Sequence, residues 1–257
     1  MEPIIIEINK DPRRIDLEGP ILVAHQPEFL PWLGNISKAA MGDVYLFFDD
    51  DQFKKKTFQN RNRIRAKNDL GYQWLTIPLK KANSSIMSQD SIIMESGDWR
   101  RKHLKTIMLA YAKAPYFDDV FPFIKKLYEN KSEDLVNFLL PISLYAFEVL
   151  GVAVPIYRTS KLKELGYQIQ GNTIDKILSM CHIFDAKTLV VGISGKEYLD
   201  IDKIKQTGIQ VVTQKFTHPI YKQIHGEFVP NMSFLDLLFN HGPDATKILG
   251  KSNYQLG

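Results

Sequence analysis

Three stretches of the sequence gather residues able to hold or turn over an anionic molecule. Lys54-Lys55-Lys56-Thr57-Phe58-Gln59-Asn60-Arg61-Asn62-Arg63-Ile64-Arg65-Ala66-Lys67 contains seven cations and no acid. The whole chain carries a net charge of +4, so the remainder without this run is negative (+4 − 7 = −3). Positive charge concentrated in this way is what an anion site requires. Arginine suits two-pronged capture of phosphate or carboxylate, and Gln59, Asn60 and Asn62 add directional hydrogen bonds. Lys56, Gln59, Asn60, Arg61, Asn62 and Arg63 are therefore candidate substrate-binding residues, against the plainer reading of a solvated basic loop.

The second stretch is His25-Gln26-Pro27-Glu28-Phe29-Leu30-Pro31-Trp32-Leu33-Gly34. A histidine after an apolar run, in a turn stiffened by two prolines, can act as a general base or donate to phosphate. It can equally be a turn histidine bonded to a backbone carbonyl. The third is Asp49-Asp50-Asp51, able to bind a hard cation, orient a hydroxyl or accept a proton. Neighbouring side chains of an extended chain face opposite ways, so the three cannot converge. The expectation is one functional carboxylate, Asp49, with the others facing solvent. Gly192-Ile193-Ser194-Gly195-Lys196 lacks the spacing of a P-loop, yet Ser194 and Gly195 could offer backbone N–H groups to phosphate at a helix start. GxGxxG, HExxH and GxSxG are all missing, which removes most weight from those reaction classes.

The elements that must position these residues read as an α/β chain. Ile21–Ala24 and Val44–Phe48 are short apolar runs of buried strands, with a helix over Asn35–Met41 between them, a βαβ unit. Residues 51–67 read as a loop, and Tyr72–Leu79 as an edge strand because of Pro78. Helical spacing marks Trp99–Ala112, capped by Asp98, then Phe117–Tyr128 and Leu135–Leu150. Strands at Val154–Arg158, Thr188–Gly192 and Ile209–Phe216 alternate with helices at Thr173–Phe184 and Leu199–Thr207, before a last helix capped by Asn231 or Ser233. The architecture expected is a doubly wound, mainly parallel, Rossmann-like sheet with a helical insertion between its two halves. We expect a single domain over residues 1–257, its helical subdomain at about 98–150. Ligands of such sheets bind beyond the carboxyl ends of the strands, which selects His25-Gln26, the aspartate triplet, Ser160 and Ser194-Gly195.

With 257 residues, 44% of them hydrophobic, the chain can bury one sizeable core. No window offers the roughly 20 apolar residues of a membrane span, and residues 1–7 lack the pattern of a signal peptide. The single cysteine, Cys181, excludes an internal disulfide and reads as a core filler. These features place the chain in the cytoplasm.

His25-Gln26-Pro27, Leu30-Pro31-Trp32-Leu33-Gly34, Asp49-Asp50, Gln59-Asn60-Arg61-Asn62, Trp74-Leu75-Thr76-Ile77-Pro78, Ser194-Gly195-Lys196-Glu197-Tyr198-Leu199 and Ser233–Asn240 occur in an order that resembles the WbqC-like protein family. The resemblance runs from about Ile21 to Gly242. It departs at Asp50-Asp51, where a hydrophobic residue or threonine is the expectation. It implies a role in O-antigen (lipopolysaccharide) or other surface-polysaccharide biosynthesis. The implied activity is a transferase moving an acyl or aminoacyl group to an amino sugar, with a sugar nucleotide as the anionic substrate and a charged tRNA as one donor option. By resemblance the site lies at His25, Gln26, Trp32, Asp49, Gln59, Asn60, Arg61 and Asn62; no cofactor is specified. A weaker similarity is to nucleotidylyltransferases, but His25 lacks the second histidine of their turn. A sugar-nucleotide sensor without catalysis and an RNA-binding protein are the other readings.

Overall fold

A computed structural model describes residues 17–80, 87–94, 97–193, 195, 199–250 and 254–256. Its main sheet has six strands: β1 (Ile21–His25), β2 (Val44–Phe47), β5 (Ile156–Arg158), β6 (Thr188–Gly192), β7 (Gln210–Phe216) and β8 (Tyr254–Leu256). The order is β5-β2-β1-β6-β7-β8, and every pairing is parallel except the last. The chain builds outward from β1 to β2 and β5, then returns to the other edge of β1 with β6 and β7. That reversal makes the β1/β6 junction the switch point of a doubly wound sheet.

Alternation along the strands explains why both faces are covered. Ile21, Val23, Tyr45, Phe47, Val190 and Val212 point into one core, and Leu22, Leu46, Leu189, Val191 and Val211 into the other. The first core is closed by α1 (Leu33–Ala39), the helical block α2 (Trp99–Tyr111), α3 (Phe117–Tyr128) and α4 (Leu135–Val149), and the C-terminal α8 (Phe234–His241) and α9 (Ala245–Gly250). Short α5 (Thr159–Glu164), α6 (Thr173–Ile183) and α7 (Ile201–Lys205) cover the second. The helical block lies in the connection from β2 to β5. Cys181 is a free, buried thiol of α6, and burial pushes its pKa up to about 12. Among the described residues no helix is long and apolar enough to cross a membrane.

The largest correction concerns residues 51–67, read above as a loop. Arg61–Arg65 is a strand, β3, paired antiparallel with β4 (Tyr72–Thr76) in a separate two-stranded ribbon. Its period of two is disguised because one of its inward positions is Asn62, wholly buried but hydrogen-bonded to the Phe29 and Leu30 carbonyls (3.2 and 2.7 Å). Two expected caps also differ. Asp98 sits at the start of α2 with φ +56° and makes no cap; its carboxylate holds Arg101 instead. Asn231 (φ +61°) lies short of α8, and Ser233 takes the N-cap position but makes no side-chain cap bond, its buried hydroxyl having no hydrogen-bond partner among the described residues. The Ser-rich residues 83–86 lie outside the described residues.

One buried carboxylate ties α8 to the rest. Asp236 accepts hydrogen bonds from the Tyr111 hydroxyl (3.0 Å), the Tyr221 hydroxyl (2.9 Å) and the Gln223 amide (2.7 Å). Replacing it with alanine orphans three buried donors, at about 1–3 kcal/mol each. Asp236→Ala is expected to lower stability by at least about 3 kcal/mol, seen as a lower urea midpoint with an unchanged slope.

Candidate functional site

A cavity of about 480 Å³ opens at the β1/β6 switch point. The ends of β1, β6 and β7 form its back, the Pro27–Trp32 turn and α1 one side, and the loop after β2 the other. The turn is held in an uncommon shape: Leu30 has φ +48° ahead of Pro31, and the Asn62 amide clamps its carbonyl. Asn62 thus serves the site by fixing the turn that delivers Glu28 and Trp32.

His25 lines the cavity. Its Nδ1 lies 2.9 Å from the Gln26 carbonyl oxygen, which can only accept, so Nδ1 carries the proton and Nε2 is left as a lone pair. That Nε2 lies 3.7 Å from Glu28 Oε1. Burial, reinforced by the Lys38 charge, lowers the imidazole pKa to about 3, so the ring is neutral at physiological pH. The Asn35 amide donates to Glu28 Oε2 (3.0 Å), and the Tyr45 hydroxyl donates to the Asn35 carbonyl oxygen (3.1 Å). Lys38 enters from α1 and donates to the Ala24 carbonyl (3.2 Å). Burial raises the Glu28 pKa to about 7, against the Asn35 hydrogen bond and the Lys38 charge, and lowers that of Lys38 to about 8. An acid and an amine that both titrate near neutrality beside an unprotonated imidazole nitrogen can exchange protons with a bound molecule.

Sequence reasoning missed Glu28 and Lys38. Both carried a signal: Glu28 lies three residues past His25, and Lys38 is the sole cation of a helix otherwise built from Leu, Gly, Asn, Ile, Ser and Ala. What hid them is the usual exposure of Glu and Lys, whereas here each is about 5% exposed.

The expected residues divide into three groups. Gln26, Trp32, Gln59 and Gly195 line the cavity with His25. Gln26 is fixed between Gln59, whose amide donates to it at 2.7 Å, and Asp51, to which it donates. Trp32 stands edge-on to Phe216, ring centroids 5.3 Å apart. A second group supports the fold. Asp49 is fully buried away from the cavity, accepting from Arg158 Nε (2.8 Å), the Thr159 hydroxyl (3.0 Å), Ser160 N (2.9 Å) and the Ser160 hydroxyl (2.7 Å). Asn60 donates to the Ile77 carbonyl (2.9 Å). The third group, Arg61 and Arg63, lies on the outer face of the ribbon, and Lys56 is exposed in the preceding turn. Ser194 and Lys196 lie outside the described residues.

The aspartate triplet diverges, but not into solvent. Asp50 is buried and met by Lys163 (3.0 Å) and Lys176 (3.1 Å). Asp51 is the member that reaches the cavity. The basic run is likewise dispersed. Lys54 borders the cavity, while Arg65 is buried and donates to the carbonyls of Gly71, His225 and Glu227.

The profile of the WbqC-like protein family matches residues 26–248. The uncharacterized protein Rv1507c of Mycobacterium tuberculosis is 26% identical over 226 residues, covering 87% of this chain and 95% of that protein. No solved structure matches.

The raised Glu28 pKa sets a sign for the pH dependence of stability. Between the unfolded carboxyl value near 4.3 and about 7, the folded chain holds a proton that the unfolded chain releases, so this group's contribution falls as pH rises through that window. Glu28→Gln keeps an acceptor for Asn35 and removes the titration. Relative to the parent it is expected to gain stability by up to ~1.4 kcal/mol per pH unit from pH 5 to 7, read from urea unfolding at each pH.

Proposed function

This chain belongs to the WbqC-like protein family, and on that premise we propose that it is a transferase of surface-polysaccharide biosynthesis whose switch-point cavity receives a sugar nucleotide. The observation that carries the proposal is the convergence of His25, Glu28 and Lys38 on one 480 Å³ cavity. An anionic substrate is favoured because Lys38 is a buried cation there whose one hydrogen bond among the described residues goes to the Ala24 carbonyl. A carboxylate or phosphate oxygen would restore what burial removed.

Acyl or aminoacyl transfer to an amino sugar fits the proton inventory. The sugar amine attacks the acyl carbon, a C–N bond forms, and the bond from acyl carbon to its carrier breaks. The amine proton passes to ionised Glu28, whose pKa near 7 suits it to accept and then release a proton. His25 Nε2 accepts a hydrogen bond from the attacking amine or a neighbouring hydroxyl, orienting it. Lys38 holds the oxygen on which charge develops. Asp49 acts at a distance: its four hydrogen bonds set the start of the loop that brings Asp51 and Gln59 to the wall.

The test is a thermal-shift titration of the purified protein with a panel of sugar nucleotides. At a hundredfold excess over Kd the cognate compound adds about 2.7 kcal/mol, or roughly 5–10 °C in Tm. Lys38→Met is expected to weaken binding ~10- to 100-fold, the loss of one charge-assisted contact. No shift with any sugar nucleotide, or an equal shift in Lys38→Met, would remove this reading.

A further inference from the structure

The outer face of the ribbon has chemistry that the cavity leaves unexplained. In β3 the side chains of Asn62 and Ile64 turn inward, so Arg61, Arg63 and Arg65 share the opposite face. Register places Thr76, Trp74 and Tyr72 directly across from them. The result is an interleaved stack: the Arg61 guanidinium lies 4.2 Å from the Trp74 ring centre, and that of Arg63 lies 4.7 Å from Tyr72 and 5.6 Å from Trp74.

Such pairs commonly do no more than stabilise a surface. Here the hydrogen bonding argues for more. Arg65 is tied to three backbone carbonyls, and Arg61 gives one bond, to the Lys56 carbonyl (2.6 Å). Arg63 gives none from its guanidinium to any described residue, and its Nε is buried without a partner. Neither Arg61 nor Arg63 has a carboxylate within ion-pair distance among the described residues, although the chain contains 29 acidic residues. Two half-buried guanidinium groups are thus held over rings, with no carboxylate partner among the described residues.

This face also adjoins the cavity. Phe58, a cavity-wall residue, packs on Trp74 with ring centroids 6.1 Å apart. From the rim at Trp32, rings continue through Phe216 to His218, 5.9 Å beyond. His218 feels the Arg63 charge, and its buried Nε2 has no partner among the described residues. At the far end Arg65 is closed off, so the open stretch spans two strand residues, ~7 Å. That length suits one nucleotide and is short for the succession of bases and phosphates along a nucleic-acid strand.

We infer that the ribbon face is a nucleotide shelf: Arg61 and Arg63 hold the phosphates of a nucleoside diphosphate, and Trp74, 39% exposed, offers the ring surface that Arg61 leaves uncovered for its base to stack on. Binding is then divided, with the nucleotide on the shelf and the transferable or accepting group in the cavity. Only that division rests on the reading of the cavity given above; the shelf stands on its own contacts.

The test measures binding of a nucleoside diphosphate panel and of inorganic pyrophosphate by calorimetry, with tryptophan fluorescence in parallel. Arg63→Gln is expected to weaken nucleoside diphosphate binding at least tenfold. Trp74→Leu should weaken the nucleoside diphosphates but leave pyrophosphate within about twofold, and abolish quenching by the base. Lys38→Met should leave nucleoside diphosphate affinity within about twofold. Equal binding by the parent and Arg63→Gln, each folded by circular dichroism, would overturn the shelf. So would pyrophosphate binding as tightly as the nucleotides, or binding of single-stranded RNA with no mononucleotide binding. If Lys38→Met also binds the full sugar nucleotide normally while Arg63→Gln does not, the shelf stands and the cavity reading fails.

Discussion

A carboxylate removed from water must be met by donors, and the way Asp49 is met governs the geometry of this end of the sheet. Its oxygens take two hydrogen bonds each, all from three consecutive residues where β5 runs into α5. Arg158 is bound in turn to Asn137 of α4, so one charge locks the last residues of β2 and β5 to the helical block. Loss of a single partner from such a cluster is severe because it leaves a buried charge uncompensated. The chain leaves this anchor in a fixed direction. Asp50 is caught by two lysines, and Asp51 is the first residue free to turn toward the cavity. Three adjacent aspartates therefore behave as a graded bend, two holding and one presenting.

The same economy of charge explains the cavity floor. Glu28 and Lys38 are the costly residues, since each is buried and no ion pair within 4 Å joins them among the described residues. Their burial is tolerated because protonation states shift in place of ions being desolvated at full charge. A pocket built this way is poised at neutral pH by its own construction. A charged ligand that enters will shift the proton occupancy of both groups.

Legibility in the sequence followed how plainly each residue declared its burial. The parallel strands were readable because runs such as Leu189-Val190-Val191 have no polar face to confuse them, and β6 falls at Thr188–Gly192 as the pattern suggested. The cavity lies where the fold directs attention, since ligands of open α/β sheets lie beyond the strand ends. Of the ribbon, Tyr72–Thr76 was readable as a strand but Arg61–Arg65 was not, because a strand whose buried face includes an asparagine has no apolar alternation to detect. For the same reason the basic run looked like one anion-binding loop, whereas pairing sends its members to three places. Asp49 was expected to be the functional member of its triplet, whereas it is the buried anchor and Asp51 is the one that lines the cavity; the partners of Asp49 and Asp50, in β5, α5 and α6, lie more than a hundred residues downstream and leave no local trace.

The strand order has a consequence for how the molecule comes into being. β1 leaves the ribosome before every other described element, and it ends as a central strand, with Val23 paired to Val190 across the switch point. At 5–20 residues per second its partner β6 emerges on the order of ten seconds or more after it. Until then the apolar edge of β1, already joined to β2 on its other side, has no mate. The nascent chain spends that interval with one edge of a central strand unpaired.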